Sequence, residues 1–362
     1  MIQIPNITSK AACFGCGACQ AACPHRAITM VADGEGFVYP VVDAALCTEC
    51  GLCSDVCPAA EKPVGLDGQA YALRCSEVSL LRESASGGAF SLLARQVLDR
   101  DGLVCGAVFD EGFRVKHVLS QDIGPMRKSK YVQSDLTGIH RQVLEALDEG
   151  KTVLFTGTPC QCHSMRRFAG ENRENLILAA IICRGVQSPG LWADYTAFLA
   201  KNGTLEAYCF RDKRVKNNGH TVAYTVGGKE TALSMGNDPF SRLYMKCLTL
   251  RPSCYQCPYT RWELPFDLTI GDFWGVEKVF PELADGMGTS LVIARTEKGR
   301  ALVESLGDSA LVLPCSRESA QQPALNEPAK ETMLRKLLFR DFARKNEEGV
   351  CDMPLILKKY GG

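Results

Sequence analysis

Two runs of nearly unbroken apolar residues, 151–156 and 176–183, stand out along the chain. That pattern predicts strands buried on both faces of a sheet. Residues 69–74 and 103–109 are further strand patterns. Phe90, Leu93, Ala94, Val97 and Leu98 recur at helical spacing, and residues 144–150 and 191–201 predict further helices. Alternating strand and helix patterns predict a mixed α/β layer with at least partly parallel strands. The N-terminal part reads differently. Residues 27–42 alternate apolar and polar positions on both sides of Asp33-Gly34-Glu35-Gly36, which predicts a hairpin. Residues 59–68, with Pro63, Gly65 and Gly68, predict a linker.

Charge narrows the function. Lys and Arg number 41, as do Asp and Glu, so there is no net positive charge for a broad nucleic-acid surface. No apolar run is long enough for a membrane span. The first ten residues lack the apolar core of an export signal, so a cytoplasmic location is expected. In that compartment the 19 cysteines are expected as thiols or metal ligands rather than disulfides.

Eight of them fall in a repeat. Cys13, Cys16, Cys19 and Cys23 precede Pro24; Cys47, Cys50, Cys53 and Cys57 precede Pro58. Each half reads C-x2-C-x2-C-x3-C-P, the run in which three thiolates wrap one 4Fe-4S cube and the fourth ligates the other cube. Cys13, Cys16, Cys19 and Cys57 are thus expected to share one cluster, and Cys47, Cys50, Cys53 and Cys23 the second. A pair of zinc knuckles is the alternative, but zinc needs neither the third cysteine nor the C-P ending.

Four more cysteines are candidates, and two of them, Cys160 and Cys183, lie where α/β proteins place ligands, at carboxyl ends of core strands. Cys160 follows the first apolar run, Cys183 closes the second, and Cys254 and Cys257 form a C-x2-C pair. They can hold a third cubane; zinc, or buried thiols with one redox pair, are the other readings. Cys162 could compete with Cys160, and the remaining cysteines have no metal-site spacing. Ser84 to Gly88 precede a helix and could cradle a phosphate or simply cap it. Neither G-x-G-x-x-G nor a P-loop is present. His163 and His220 are candidate proton donors, with packing as the plainer role.

A series of motifs resembles one family, the beta subunit of coenzyme F-420 hydrogenase/dehydrogenase and its relatives. The motifs are Ser86-Gly87-Gly88-Ala89-Phe90, Lys128 to Ser134, Gly157-Thr158-Pro159-Cys160-Gln161, Cys183-Arg184-Gly185, Phe210 to Lys213, Arg251 to Cys257, and Thr269 to Gly275. The resemblance implies FAD and a 4Fe-4S cluster in the large domain. It makes Cys160, Cys183, Cys254 and Cys257 the preferred third-cluster ligands. It makes Ser86, Gly87, Gly88, Lys130, Tyr131, Gln133 and Thr158 candidate flavin contacts. Two departures are Arg184, where relatives commonly carry His, and Asn217-Asn218-Gly219-His220, where Gly-Trp is common.

The expected architecture is an α+β ferredoxin-like dicluster domain over residues 1–66, followed by a larger mixed α/β flavin-binding domain over 67–362. The expected function is an oxidoreductase taking electrons from a low-potential donor such as ferredoxin, through 4Fe-4S clusters, to FAD and an organic acceptor. The alternatives are an electron-transfer or F-420-reducing beta subunit of a larger hydrogenase or formate dehydrogenase, or a pure electron relay. Expected partners are a redox protein, a small organic substrate or deazaflavin coenzyme, and a second copy of the chain; the catalytic residues are not assigned.

Overall fold

The computed structural model describes residues 4–171, 173–213, 220–344 and 351–362. Each N-terminal cysteine loop leads into a short helix, α1 (Ala18–Ala22) and α2 (Leu52–Asp55). Between them β1 (Ile28–Ala32) pairs antiparallel with β2 (Val38–Val42), Ile28 opposite Val42 and Ala32 opposite Val38. The tip is closed by Asp33, whose Oδ1 accepts the N–H of Glu35 at 3.0 Å and of Phe37 at 3.1 Å.

After the linker come β3 (Gln69–Cys75), α3 (Val78–Glu83), α4 (Ala89–Leu98), β4 (Leu103–Phe109) and β5 (Val115–Ser120). Then follow α5 (Ile139–Asp148), β6 (Val153–Gly157), α6 (Pro159–Ala169), β7 (Leu176–Ile181) and α7 (Pro189–Ala200). β8 (Leu205–Asp212), β9 (Thr221–Val226) and β10 (Lys229–Ser234) form a separate antiparallel sheet, which sequence patterning did not anticipate. β11 (Leu268–Asp272), β12 (Ser290–Ala294) and β13 (Ala310–Cys315) complete the main sheet. Its order is β13-β3-β12-β11-β7-β6-β4-β5. The four strands β11, β7, β6 and β4 are parallel, and the rest run antiparallel. The expected mixed α/β layer is therefore present.

The unbroken apolar runs have the expected cause. In β6, Leu154 packs into a core with Leu93 and Val97 of α4, while Val153 and Phe155 face Val143 of α5 and Met165 of α6. Each such side chain taken fully out of water contributes about 1.5–3 kcal/mol. α5 begins five residues earlier than its expected start at 144, because Ile139 and His140 join the same buried face.

The dicluster module is locked to this body. Phe37 is fully buried in a core it shares with Trp192, Phe210 and Phe339. Beside it, Gly190 N–H donates to the Gly36 carbonyl at 3.2 Å. Gly36 has φ +78°, and a Cβ there would come within 2.6 Å of the Gly190 Cα, so this crossing requires glycine. Buried Arg335 holds both carboxylate oxygens of Glu35, at 3.0 and 2.5 Å. Arg251, 1% exposed, donates to the carbonyls of Cys13 at 2.8 Å and Val38 at 3.0 Å and to Gln133 Oε1 at 3.0 Å.

Candidate iron-sulfur and cofactor site

Four N-terminal cysteines drawn from both halves of the repeat gather together. Cys13, Cys16, Cys19 and Cys57 line one cavity with Ile4 and Met30. Cys23 instead lies within charge-interaction range of Cys53, as does Cys50. The first set is buried or nearly so, whereas Cys50 is exposed and Cys47 partly exposed. The module thus has an inner thiol set against the large domain and an outer set toward solvent. Burial pushes the Cys16 thiol up to about 12 and raises Cys19 and Cys57. Thiols held this way keep their protons at neutral pH until a metal displaces them.

Cys160, Cys183, Cys254 and Cys257 also line one cavity. Cys160 sits in the first turn of α6, whose start is fixed by a capping box. The Thr158 N–H donates to Gln161 Oε1 at 2.9 Å, with Pro159 at the first helical position. Burial raises the Cys160 thiol above its ordinary value, against the hydrogen bonds from Thr158 and the helix N-terminus that favour a thiolate. Cys183 follows β7, and Cys254 and Cys257 lie in and just after a 3-10 turn over Pro252–Gln256. Burial holds Cys254 and Cys257 up to about 12. Cys162 is turned away, its thiol directed at the Gly157 carbonyl at 3.7 Å. Arg184 also lines this cavity, and its Nε donates to Cys247 Sγ at 3.2 Å.

Among the described residues, no three His, Cys, Asp or Glu side chains converge tightly enough for a single ion. Zinc needs its sulfurs about 2.3 Å from one point. Both inner cysteine sets surround a cavity instead, and all-thiol sets spread in this way fit cubanes.

A cavity of about 250 Å³ opens at the carboxyl ends of the parallel strands. Its wall includes Thr156 to Thr158 at the end of β6, Ile181 to Cys183 at the end of β7, and Ile270 to Asp272 of β11. Of the expected flavin contacts, Ser86, Gly88, Lys130, Tyr131 and Thr158 line it. The Tyr131 ring stacks on Tyr244, centroids 4.8 Å apart. Burial drops the Lys130 ammonium to about 7 while its Nζ donates to the carbonyls of Pro125 at 2.6 Å and Arg127 at 2.8 Å.

Two expected contacts lie elsewhere. Gly87 packs against the sheet: a Cβ there would sit 2.2 Å from the Leu73 carbonyl and 2.4 Å from the Ser290 nitrogen. It is needed for close loop-to-strand approach rather than for room around a ligand. Gln133 faces the dicluster module, where its Nε2 donates to the Phe14 carbonyl at 3.0 Å and its Oε1 accepts from Arg251.

His163 is buried against the Tyr259 hydroxyl at 2.7 Å, the plainer packing role. His220 stacks on half-exposed Trp274, centroids 5.1 Å apart. Asp272 of the same motif pairs with Arg211 at 2.7 Å. Residues 217–219 of the other departure lie outside the described residues. Sequence reasoning missed His117, buried in the cavity wall with Nε2 2.9 Å from the Thr156 carbonyl.

The cavities adjoin. Phe14 lines both the inner-module cavity and the third cysteine cavity. Thr158, Cys183, Gly185 and Val186 line both the third cavity and the large one.

Residues 12–60 match the family model of the 4Fe-4S dicluster domain. Residues 150–313 match the family model of the C-terminal part of the coenzyme F420 hydrogenase/dehydrogenase beta subunit. No curated protein matches the chain. Among solved structures, a chain of the F420-reducing [NiFe] hydrogenase complex from Methanosarcina barkeri is similar at 17% identity. The similarity covers 79% of this chain and 91% of that one, with a TM-score of 0.46.

Proposed function

We propose that this chain, an iron-sulfur electron-transfer protein of the coenzyme F420 hydrogenase/dehydrogenase beta-subunit type, carries electrons between a partner subunit and an FAD in the large cavity, serving an organic acceptor such as a deazaflavin coenzyme. The observation that carries this reading is the continuity of walls from the inner-module cavity through the third cysteine cavity to the large one.

In this reading residues 1–66 form the relay and residues 67–362 the cofactor-binding part. Cys13, Cys16, Cys19 and Cys57 would hold the inner cubane, and Cys47, Cys50, Cys53 and Cys23 the outer. Cys160, Cys183, Cys254 and Cys257 would hold the third. Ser86, Gly88, Lys130, Tyr131 and Thr158 would contact the flavin, and Gly87 would support the loop that carries Ser86. Bound there, the cubanes supply one-electron relay and the flavin converts single electrons to electron pairs.

The protein's own work is positional. Arg251 and Arg335 fix the module against the body, and Phe14 fills the wall between two thiol sets. Outside, Cys50 is exposed with Leu46 and Leu52, an apolar approach for a redox partner. The sequence alone puts a diffusible ferredoxin first. The beta-subunit match instead gives precedence to a partner subunit at that face, the alternative that the sequence also raises.

Chain purified without oxygen is expected to carry about twelve irons, four for each of three cubanes, and one releasable FAD. Eight irons without flavin would reduce the chain to a two-cluster relay and overturn the proposal.

A further inference from the structure

Among the described residues, two side-chain polar atoms in the wall of the large cavity are buried without a partner, Arg127 Nε and His117 Nδ1, and only the second is an acceptor. His117 is 4% exposed and lines the cavity from β5. The Thr156 carbonyl, an acceptor only, lies 2.9 Å from Nε2 and so fixes the proton there. Nδ1 is left as a lone pair, buried and without a partner. Burial lowers the ring's proton affinity to about 4, so it remains a neutral acceptor at physiological pH. The ring is held flat against Phe155, centroids 5.5 Å apart and planes at 14°, so it does not swing to find another partner.

Lys130 lines the same cavity, close enough for its charge to act on His117. As an ammonium it has three donor hydrogens; two go to the Pro125 and Arg127 carbonyls, which leaves one for an acceptor that would hold it in that form. A buried acceptor left unmade is costly, so an acceptor beside a spare donor is expected to meet a ligand group of opposite pattern.

We propose that His117 Nδ1 and Lys130 Nζ together read a cyclic imide edge, the histidine accepting its ring N–H and the lysine donating to a flanking carbonyl. Flavins and deazaflavins both carry that edge. The inference rests on the flavin reading above and adds how the ring is oriented: pyrimidine end toward β5, dimethylbenzene end away from it.

The full-length chain, depleted of its cofactor, is titrated anaerobically with riboflavin and with 3-methylriboflavin, which lacks the N3–H donor. One lost hydrogen bond predicts about tenfold weaker binding of the methylated compound. His117→Gln can keep a donor on the Thr156 carbonyl, but its acceptor Oε1 is then displaced from the Nδ1 position, and the preference is expected to vanish. His117→Asn, whose Oδ1 can take the place of Nδ1, is expected to keep it. The comparison of the two flavins in the unaltered chain needs no variant to fold. Repeating it with 5-deazariboflavin and its N3-methyl derivative separates the two sources, because the tighter-held ring is the resident one. Equal binding of both members of a pair, or a preference that survives in His117→Gln, overturns the inference and leaves the flavin reading intact. No binding of any of these rings overturns both.

Discussion

Arg251 Nε donates a hydrogen bond to the Cys13 carbonyl at 2.8 Å. The residue that opens the run to Cys254 and Cys257 thereby grips the first loop of the dicluster module. The same guanidinium bonds the Val38 carbonyl and Gln133, and lies 4.3 Å from the Tyr39 ring centroid. Two cysteine sets distant in sequence are set in register by one side chain. Arg251→Ala removes the donor from three acceptors, two on buried residues and one partly buried, a loss of about 2–4 kcal/mol. The expected result is a lower unfolding midpoint, together with iron lost from the inner and third sites before the outer one. Arg251→Lys cannot span all three acceptors and is expected to recover only part of the stability. Unfolding curves and iron content measure both.

Ligand crossing makes a separate prediction. Cys57 shares its cavity with Cys13, Cys16 and Cys19, although Cys53 is nearer in sequence. Cys57→Ser is expected to remove about four of the irons, with the survivors bound at the outer set. Iron analysis with electron paramagnetic resonance of the reduced protein decides it. Loss of the signal that also depends on Cys50 would place Cys57 in the wrong set.

The hairpin tip supplies the third prediction. Glu35 is bound by Arg335 through both carboxylate oxygens, and Arg335 is almost fully buried. Glu35→Ala leaves that guanidinium with the Leu250 carbonyl and the longer pair to Glu331 at 3.5 Å, a loss of about 1.5–3 kcal/mol. The module is expected to loosen while its own clusters stay intact, since Glu35 touches none of the eight cysteines. Faster proteolysis across residues 59–68 with unchanged iron content is the expected outcome.

How much of this was legible beforehand follows from how local each signal is. The cysteine repeat and the apolar strands β6 and β7 carry their pattern within a few residues, and both were readable. The third cysteine set combines three loops, and only the family resemblance raised it above zinc or free thiols. β10 and β13 alternate too weakly between exposed and buried to register as strands. Gln133 and Gly87 sit in motifs that suggested ligand contact. Their partners, Phe14 and Arg251 for the first and Leu73 for the second, are distant in sequence, so the packing roles were invisible. His117 was overlooked for the same reason: its meaning lies in Thr156, 39 residues on.

Lys130 gives the pH prediction. Its folded-state proton affinity falls from 10.5 to about 7, mainly by burial. Between these values the unfolded chain holds a proton that the folded chain does not, so stability rises with pH across that window. Below about 7 the ammonium must stay charged while buried, and its penalty is fully present. Other groups titrate in the same range, so the informative quantity is the difference from Lys130→Met. Urea midpoints measured from pH 6 to 10 are expected to climb more in the unaltered chain than in the variant. Parallel curves would show that Lys130 keeps its charge in the fold.

The last prediction concerns the join between the third cysteine cavity and the large one. Cys183 lines both, whereas Cys254 lines only the third. Cys254→Ser therefore disturbs the proposed third cluster without touching the wall of the flavin site. Flavin content is expected to stay normal, the dicluster module to keep its eight irons, and dithionite to reduce each part slowly on its own. Electrons delivered by a protein donor too large to enter the cavity are expected to stop at the dicluster module, with the flavin remaining oxidised on the timescale at which the unaltered chain bleaches. Cys183→Ser is expected to do the same and also to weaken flavin binding, because its side chain belongs to both walls. Stopped-flow absorbance with a reduced protein donor separates the cluster and flavin phases. Equal flavin reduction in Cys254→Ser and the unaltered chain would show a route that bypasses the third cavity, and the continuity of walls would then have no part in electron transfer.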